Sequence, residues 1–492
     1  MADTGTAKPD GKRRRWPWIL GALVAFPLAG HGMVVGCTSM TPPAIEVAPT
    51  AITTAPDDPS RRELGRAWAR KRGAITEIRL EGDPTTMGYA HMRLLYDDAV
   101  AIERDMHDQF AQFVPYQLAR TLIVDLARLR FAGLDRRLTP GYRREIAAQA
   151  LAFDPDPFTG LMDTYPRFVF LHSLYDIMLS FERSPLIGCT SFVVDGARTS
   201  NGHTLVGRNF DFEGPQILDD KKAVFLVLEQ DRLPFASVSW PGFIGTTSGM
   251  NADGLAIVIH GARAGQTQSD GQPVAQTVRH LLATSHTTRQ ALAELEGHDP
   301  MVPHMLLIAD STGDAVAVER VPGRPAFARP ISGGGLPLTN HLEGPSASDP
   351  KNVAVMASTS TVARRARLDE LLATLPDRAT PADVVAVLRD RRAPSGAELP
   401  LGHRDAIDAL IATHSVVMDT TERVLWVSEG PHATGRFVRF DLQDLLDRDY
   451  RPSGPARVES LPSDDIRRDG RYDQWVKRGQ SHPSGPPPQG AP

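Results

Sequence analysis

The feature that most constrains this chain is a change of hydrophobic period at Cys189. Upstream, apolar residues recur every three or four positions through Met92 to Phe113, Gln117 to Phe131 and Tyr142 to Phe153, the pattern of helices with one buried face. The whole stretch from Arg61 to Arg183 is predicted to be helical, with Thr139-Pro140 as one helix start. Downstream, short β-rich runs alternate with turn formers. Thr190 to Val194 ends at Asp195-Gly196, and Ser200-Asn201-Gly202 leads into Thr204 to Phe212. Further strands are expected at Ala223 to Leu228, Phe235 to Trp240, Leu255 to His260, His304 to Ala309, Ala315 to Glu319, His414 to Met418, Val424 to Ser428 and Phe437 to Phe440. Helices are expected at Ala275 to Ala283, Thr288 to Leu295, Val362 to Leu375 and Pro381 to Arg389. Helices, then strand pairs joined by tight turns, then helices specify an α+β fold of antiparallel sheets covered by helices, not an alternating βαβ fold.

The N-terminus carries a second signal. Lys12-Arg13-Arg14-Arg15 precedes an apolar run from Trp16 to Val35, the physical signature of an export signal or a membrane anchor. The run is long enough for a bilayer, which needs about 20 residues. Val34-Val35-Gly36-Cys37 resembles a bacterial lipobox, which would make Cys37 the lipidated residue; an uncleaved transmembrane anchor is the alternative. Either reading places the protein outside the cytoplasm, tethered to a membrane. Thr41 to Ser60 is rich in Pro, Thr and Ala and reads as a tether, and the stretch after Asp464 as a charged, then Gly/Pro-rich, disordered tail.

Composition narrows the function. A net charge of −5 argues against a general nucleic-acid binder. Only two cysteines exist, Cys37 and Cys189, so there is no disulfide framework. An exported chain with a lone thiol at a structural junction points to chemistry at Cys189. The 15 histidines offer no specific Cys–His pair and no metal-ligand spacing.

Another base is available. If the Gly188–Cys189 bond were cut, the new α-amino group would share a residue with the thiol. An α-amine titrates near pH 8, close enough to neutrality to act as general base. Gly188 crowds the neighbouring peptide least, and thiol attack on its carbonyl would make the cut.

Gly188-Cys189-Thr190-Ser191-Phe192, followed by Gly207-Arg208-Asn209-Phe210-Asp211-Phe212, resembles the opening of the acyl-CoA:isopenicillin N acyltransferase and choloylglycine hydrolase families. Met250-Asn251-Ala252-Asp253-Gly254-Leu255 resembles their Asn-x-x-Gly-Leu turn, and Leu338-Thr339-Asn340-His341 their Thr-Asn element. Ser360 through Arg364, Arg365, Arg367 and Leu368 is similar to their late Ser–Arg helix. Leu80-Glu81-Gly82-Asp83-Pro84 to Gly88-Tyr89-Ala90-His91 is similar to the pro-region of the acyltransferase branch.

The resemblance implies the four-layer αββα sandwich of N-terminal-nucleophile hydrolases, with a helical pro-region. The expected plan is a signal or membrane-anchor segment at 1–37, a flexible linker at 38–61, a helical pro-region at 62–188, a catalytic domain at 189–450 and a mostly disordered tail at 451–492. It implies that Cys189 supplies thiolate and amine, Arg208 holds the thiolate or a substrate carboxylate, and Asp211 orients the amine. Asn251 and Asn340 would donate to the oxyanion or orient substrate, and Arg364 would complete the charged network, with Arg365 and Arg367 as competing alignments. Arg208 and Asp211 are three apart, so a regular strand puts them on opposite faces; both reach Cys189 only if the strand bends or ends after Asn209.

The expected function is cleavage of a small-molecule, non-peptide amide through a Cys189 thioester, activated by self-cleavage, with the two pieces remaining associated and no metal or organic cofactor. Acyl transfer to an amine acceptor and an inactive membrane-tethered scaffold of the same fold are the alternatives.

Overall fold

In the computed structural model of this protein the described residues are 29–48, 50–160, 162–181 and 187–480. The chain opens with helical residues 29–37, α1. Four strands follow: β1 (Thr53–Ala55), β2 (Asp58–Leu64), β3 (Ala67–Arg72) and β4 (Ile75–Gly82). Then come α2 (Pro84–Phe113), α3 (Gln117–Arg130), α4 (Pro140–Ala152), α5 (Thr164–His172) and α6 (Leu174–Leu179). Asp83 starts α2 by accepting from the amides of Thr85 and Thr86, with Pro84 in the first turn.

From the junction onward the elements are β5 (Ile187–Val194), β6 (Leu205–Phe212), α7 (Ile217–Asp220), β7 (Ala223–Glu229), β8 (Phe235–Ser239), β9 (Ser248–Asn251) and β10 (Ala256–Gly261). Next are α8 (Val274–Thr284), α9 (Thr288–Leu295), β11 (His304–Ala309), β12 (Ala315–Arg320), β13 (Phe327–Pro330) and β14 (Gly335–Leu338). The chain ends with α10 (Pro350–Ser358), α11 (Thr361–Thr374), α12 (Pro381–Leu388), β15 (Ala412–Asp419), β16 (Val424–Ser428), β17 (Phe437–Asp441), α13 (Leu442–Leu445), β18 (Ser460–Leu461), α14 (Asp465–Arg468) and α15 (Arg471–Trp475).

The strands form two sheets. One has 11 strands in the order β1-β2-β3-β4-β7-β8-β9-β10-β11-β12-β13; the other has seven, β14-β5-β6-β15-β16-β17-β18. Successive side chains of a strand face opposite sides, and the cores follow that rule. Ile257 packs with Met87 of α2, Ile146 of α4 and Leu281 of α8 on the outer side of the large sheet. Val258, one residue on, packs between the sheets with Val193, Val206 and Val416. Phe192 faces out of the smaller sheet onto Leu368 of α11 and Val384 of α12. Helix, sheet, sheet, helix: the αββα sandwich is as expected.

Three expected boundaries need correction. The linker at 38–61 is not free: its second half forms β1 and most of β2, and Arg61 is buried between Asp57 and Glu63. The segment at 62–188 is not all helical, because β3 and β4 join the large sheet and β4 pairs with β7 in parallel from Thr76↔Ala223 to Gly82↔Glu229. Within the tail at 451–492, residues 451–480 are described and join the fold. There β18 pairs with β17, and Ile466, Tyr472 and Trp475 bury against Leu410. These segments escape a periodicity reading because their charges are paired inside the fold. Glu77, fully buried, takes both Arg70 and Arg72 of the neighbouring strand. Residues 1–28, which carry the basic cluster and most of the apolar run, lie outside the described residues. Among the described residues no helix is long and apolar enough to cross a membrane.

Candidate active site

Cys189 lies on β5 with its side chain fully buried. Strands β5 and β6 pair without a break from Ile187↔Phe212 to Val194↔Leu205, and this register sorts the motif residues. Directly opposed residues share a face. Phe210 therefore lies beside Cys189, and Arg208 beside Ser191, on the face that Val193 turns toward the other sheet. Asp211 lies opposite Gly188, on the face that looks toward α11. No bend after Asn209 brings Arg208 and Asp211 together; the irregularity of β6 is on its other edge, against β15 between Ala412 and His414. The two residues stay on opposite faces and approach the Gly188–Cys189 peptide from two sides.

On the inner face Arg208 donates through Nη2 to the Cys189 Sγ at 3.5 Å and to the Ile259 carbonyl at 2.7 Å. Its Nη1 donates to the Thr247 carbonyl at 2.9 Å, to the Ser248 hydroxyl and to His414 Nε2 at 3.3 Å. The guanidinium lies 4.5 Å over the Phe210 ring. All these partners are neutral, so a fully buried cation faces a thiol that can become an anion. Burial pushes the Cys189 thiol up, and Arg208 pulls it back.

On the other side, the Cys189 amide nitrogen donates to Asn340 Oδ1 at 2.7 Å. The same oxygen accepts from Arg364 Nη2 at 3.0 Å, while Asn340 Nδ2 donates to the Gly261 carbonyl at 3.2 Å. Two donors on one atom and an acceptor at the other fix the amide's orientation. Asn340 is thus an acceptor for the Cys189 nitrogen, and its donor group is already engaged; the expected oxyanion donation is not what the uncut chain shows. Arg364 Nη1 donates to the Cys189 carbonyl at 2.5 Å and to the Thr190 hydroxyl at 2.9 Å. A Cβ placed on Gly188 would stand 3.6 Å from the Asp211 Cβ and 3.7 Å from Arg364 Nη2, ordinary contact distances, so both residues lie against Gly188. Burial raises Asp211 to about 7, against the lowering pull of Arg364, and its Oδ1 has no hydrogen-bond partner.

The alignment of the late arginines is resolved. Arg364 enters the site, Arg365 pairs with Asp369 and Glu343, and Arg367 pairs with Asp390 and Glu370. Asn251 is not in the site. Its Nδ2 donates to the carbonyls of Leu282 and Ser285, and its Oδ1 accepts from the amides of Asp253 and Leu255, so it builds the β9–β10 turn. Asn340 and Arg364 are joined through Thr361, whose hydroxyl accepts from the Asn340 amide at 2.8 Å at the start of α11.

Several residues near Cys189 carry no motif signal. His260 holds the Ser191 hydroxyl at 2.7 Å, and His414 holds Ser248 at 2.8 Å while stacking on Phe210. Burial holds both imidazoles far below their ordinary range, hence neutral, so His414 accepts from Arg208. Tyr175 of α6 brings a buried hydroxyl with no partner to within 3.6 Å of a Cβ built on Gly261. His203, Asp419 and Glu422 place ligand atoms within 4.8 Å of one another, but at the far end of β6, where Asp419 pairs with Leu205. Cys37 is exposed at the end of α1.

Comparison with known proteins completes the description. An uncharacterized protein of Archaeoglobus fulgidus is 28% identical over 257 residues, which is 48% of this chain and 41% of that protein, so the chain matches about two fifths of its relative's length. Three solved structures are similar. The N-acylethanolamine-hydrolyzing acid amidase ortholog of Caenorhabditis elegans has 17% identity, covers 47% of this chain and 93% of its own, and gives a TM-score of 0.35. The conjugated bile acid hydrolase of Clostridium perfringens has 12% identity, with coverages of 56% and 97% and a TM-score of 0.38. The penicillin V acylase of Agrobacterium tumefaciens has 18%, 56%, 99% and 0.34. Arg208, Asp211, Asn340 and Arg364 all fall within residues 197–430, and that stretch matches the family of acyl-coenzyme A:6-aminopenicillanic acid acyl-transferase, the type whose motifs the sequence carries.

Proposed function

We propose that this protein is a self-cleaving cysteine amidohydrolase that takes an acyl group from a small-molecule, non-peptide amide. The observation that carries the reading is the hydrogen bond from the Cys189 amide nitrogen to Asn340 Oδ1, made while Arg208 reaches the sulfur of the same residue. A main-chain nitrogen inside a sheet seldom needs a buried side-chain acceptor with its own arginine. A nitrogen destined to become an amine does.

In the uncut chain Sγ attacks the Gly188 carbonyl carbon, and the C–N bond to Cys189 breaks as that nitrogen takes up the thiol proton. The Gly188 thioester then takes up water, releasing a Gly188 carboxylate, the free thiol and the α-amine. In turnover the amine accepts the thiol proton, Sγ attacks the substrate carbonyl, and the amine returns the proton to the leaving nitrogen. Water resolves the acyl-thioester; an amine acceptor in its place makes the same site an acyltransferase. The tether reading of residues 1–37 places this chemistry at a membrane outside the cytoplasm.

Intact-mass measurement and Edman sequencing of purified protein test the proposal. Two chains are expected, the larger beginning at Cys189 with Thr190, Ser191 and Phe192 next. Cys189→Ala should remain one inactive chain. An active protein with an unbroken Gly188–Cys189 bond would overturn the mechanism, and an uncut, inert wild type with an unreactive thiol would make the protein a scaffold.

A further inference from the structure

Helix α3 is amphipathic in the wrong sense for water. Two of its four charged residues, Asp125 and Arg128, are buried, whereas Leu118, Leu122, Leu126 and Leu129 stand 62%, 53%, 66% and 51% exposed. Their spacing of four, four and three keeps them on one stripe of the helix. Phe113 and Tyr116, 69% and 78% exposed, extend the stripe across the turn before it. Single exposed leucines are ordinary, but a contiguous apolar patch of this kind marks a surface that meets something apolar.

The chain itself indicates what that is. The apolar run that starts at Trp16 leads directly into α1, and α1 is fixed to α3 by His31 Nδ1, 2.9 Å from Asp125. The exposed Cys37 lies six residues beyond His31, about 9 Å along the helix at 1.5 Å per residue. Where the apolar run is the uncleaved tether, its end is bound through His31 to the helix that shows its leucines to the outside.

We propose that α3 lies in the plane of a lipid bilayer, with Leu118, Leu122, Leu126 and Leu129 buried at the headgroup–acyl boundary and Phe113 and Tyr116 at its edge. The N-terminal tether holds the protein at the membrane, and the α3 face adds a second contact in the plane of the interface. It also fixes orientation. A flexible tether alone leaves the body free to tumble, whereas a helix lying in the interface holds the upstream segment, and the sheet it completes, against the membrane. The proposal rests on the tether reading of the N-terminus.

Site-directed spin labelling of the full chain separates the two. A nitroxide is placed at Leu122→Cys or Leu126→Cys in a Cys37→Ser, Cys189→Ala background, with Glu398→Cys, far out in solvent, as control. The protein is bound to phosphatidylethanolamine/phosphatidylglycerol vesicles. The labels at 122 and 126 should then collide with oxygen in preference to a water-soluble nickel chelate, and the label at 398 should do the opposite. Protein that floats with vesicles while its 122 and 126 labels stay open to nickel retains the tether and overturns the α3 proposal. Labels shielded from both reagents mean a protein partner or a second copy covers the face, which also overturns it. In this background only the apolar run can tether, so protein that fails to float defeats that tether and the α3 proposal together.

Discussion

Arg208 holds a full charge where every hydrogen-bond partner is neutral, and such a group persists only if something about to become negative needs it. Replacing it with methionine keeps the bulk and removes the charge. In the cleaved protein, Arg208→Met should slow alkylation of Cys189 by iodoacetamide at neutral pH and lower kcat/KM by about two orders of magnitude, the usual size of one lost charge-stabilising contact. Unchanged alkylation would remove Arg208 from the thiol's support. Asn340 makes a different prediction. As an acceptor for the Cys189 nitrogen it stabilises the charged amine, so Asn340→Ala should lower kcat and also lower the amine's pKa. The acid limb of the kcat/KM profile should therefore move to lower pH, because the neutral, basic form then persists further down. An oxyanion donor would cost rate without moving that limb, so a stationary limb restores the donor role. This is where the motif alone was insufficient. It named Asn340 and Arg364, which the fold sets against Cys189, but which end of the amide points at Cys189 depends on Gly261 and Thr361, brought in from other strands and helices. Asn251 had an equally good motif and turned out to tie its own hairpin.

Among elements, the pairing of β4 with β7 matters most for what the proposed cleavage would leave. Seven residue pairs in parallel register join a strand from before Gly188 to one from after it. The upstream segment also caps the catalytic part: Asp176 of α6 accepts from the amide of Val274, the first residue of α8, a helix with no side-chain cap of its own. Ile78 and Leu80 of β4 are almost wholly buried. The two chains should therefore co-elute on gel filtration even in 1 M salt, since ladder hydrogen bonds and apolar packing are not screened as surface ion pairs are. Separation at that salt would show that charge alone holds them. Strands β2 to β4 were illegible in the sequence for a physical reason. Alternation is readable when one face meets water, whereas Arg70, Arg72 and Glu77 satisfy each other inside, leaving neither a polar outer row nor a clean apolar inner one. Most downstream strands are legible because their charges are few and their turns carry glycine and asparagine; the short β9, β13, β14 and β18 are not, having two to four residues each.

For the whole molecule, the buried titratable groups set a pH at which the uncut chain is most stable. Burial lowers His91 and His304 to about 3 and holds His172, His260 and His414 well below the ordinary imidazole value of 6.5. Unfolding lets each bind a proton, so their contribution is present above about pH 6.5 and is lost as the pH falls below it. Burial acts oppositely on three carboxyls, raising Asp211 to about 7 and Asp176 to about 8 from 3.8, and Glu145 to about 7 from 4.5. Each is held protonated in the fold, so its contribution is present below its ordinary value and is lost as the pH rises toward 7 or 8. Between about pH 4 and 6.5 the five imidazoles outweigh the three carboxyls and stability rises with pH; above about 6.5 the carboxyls outweigh the imidazoles and it falls. The uncut Cys189→Ala chain should therefore show its highest Tm between pH 6.5 and 7 in a scan from pH 5 to 8.5. Adding Asp211→Asn should steepen the rise from pH 5 to 7, because the amide removes a group whose ionisation in the unfolded chain opposes the imidazoles there, and should leave the fall above pH 7 to the remaining carboxyls. Each pKa unit is worth about 1.4 kcal/mol, so a shift of the size seen for Asp211 amounts to a few kcal/mol at most, enough to move a Tm by several degrees. A Tm that keeps climbing from pH 6.5 to 8.5 would mean that Asp211 and Asp176 ionise freely in the uncut chain, and that the outer face of the site is already open to water before Gly188 is released.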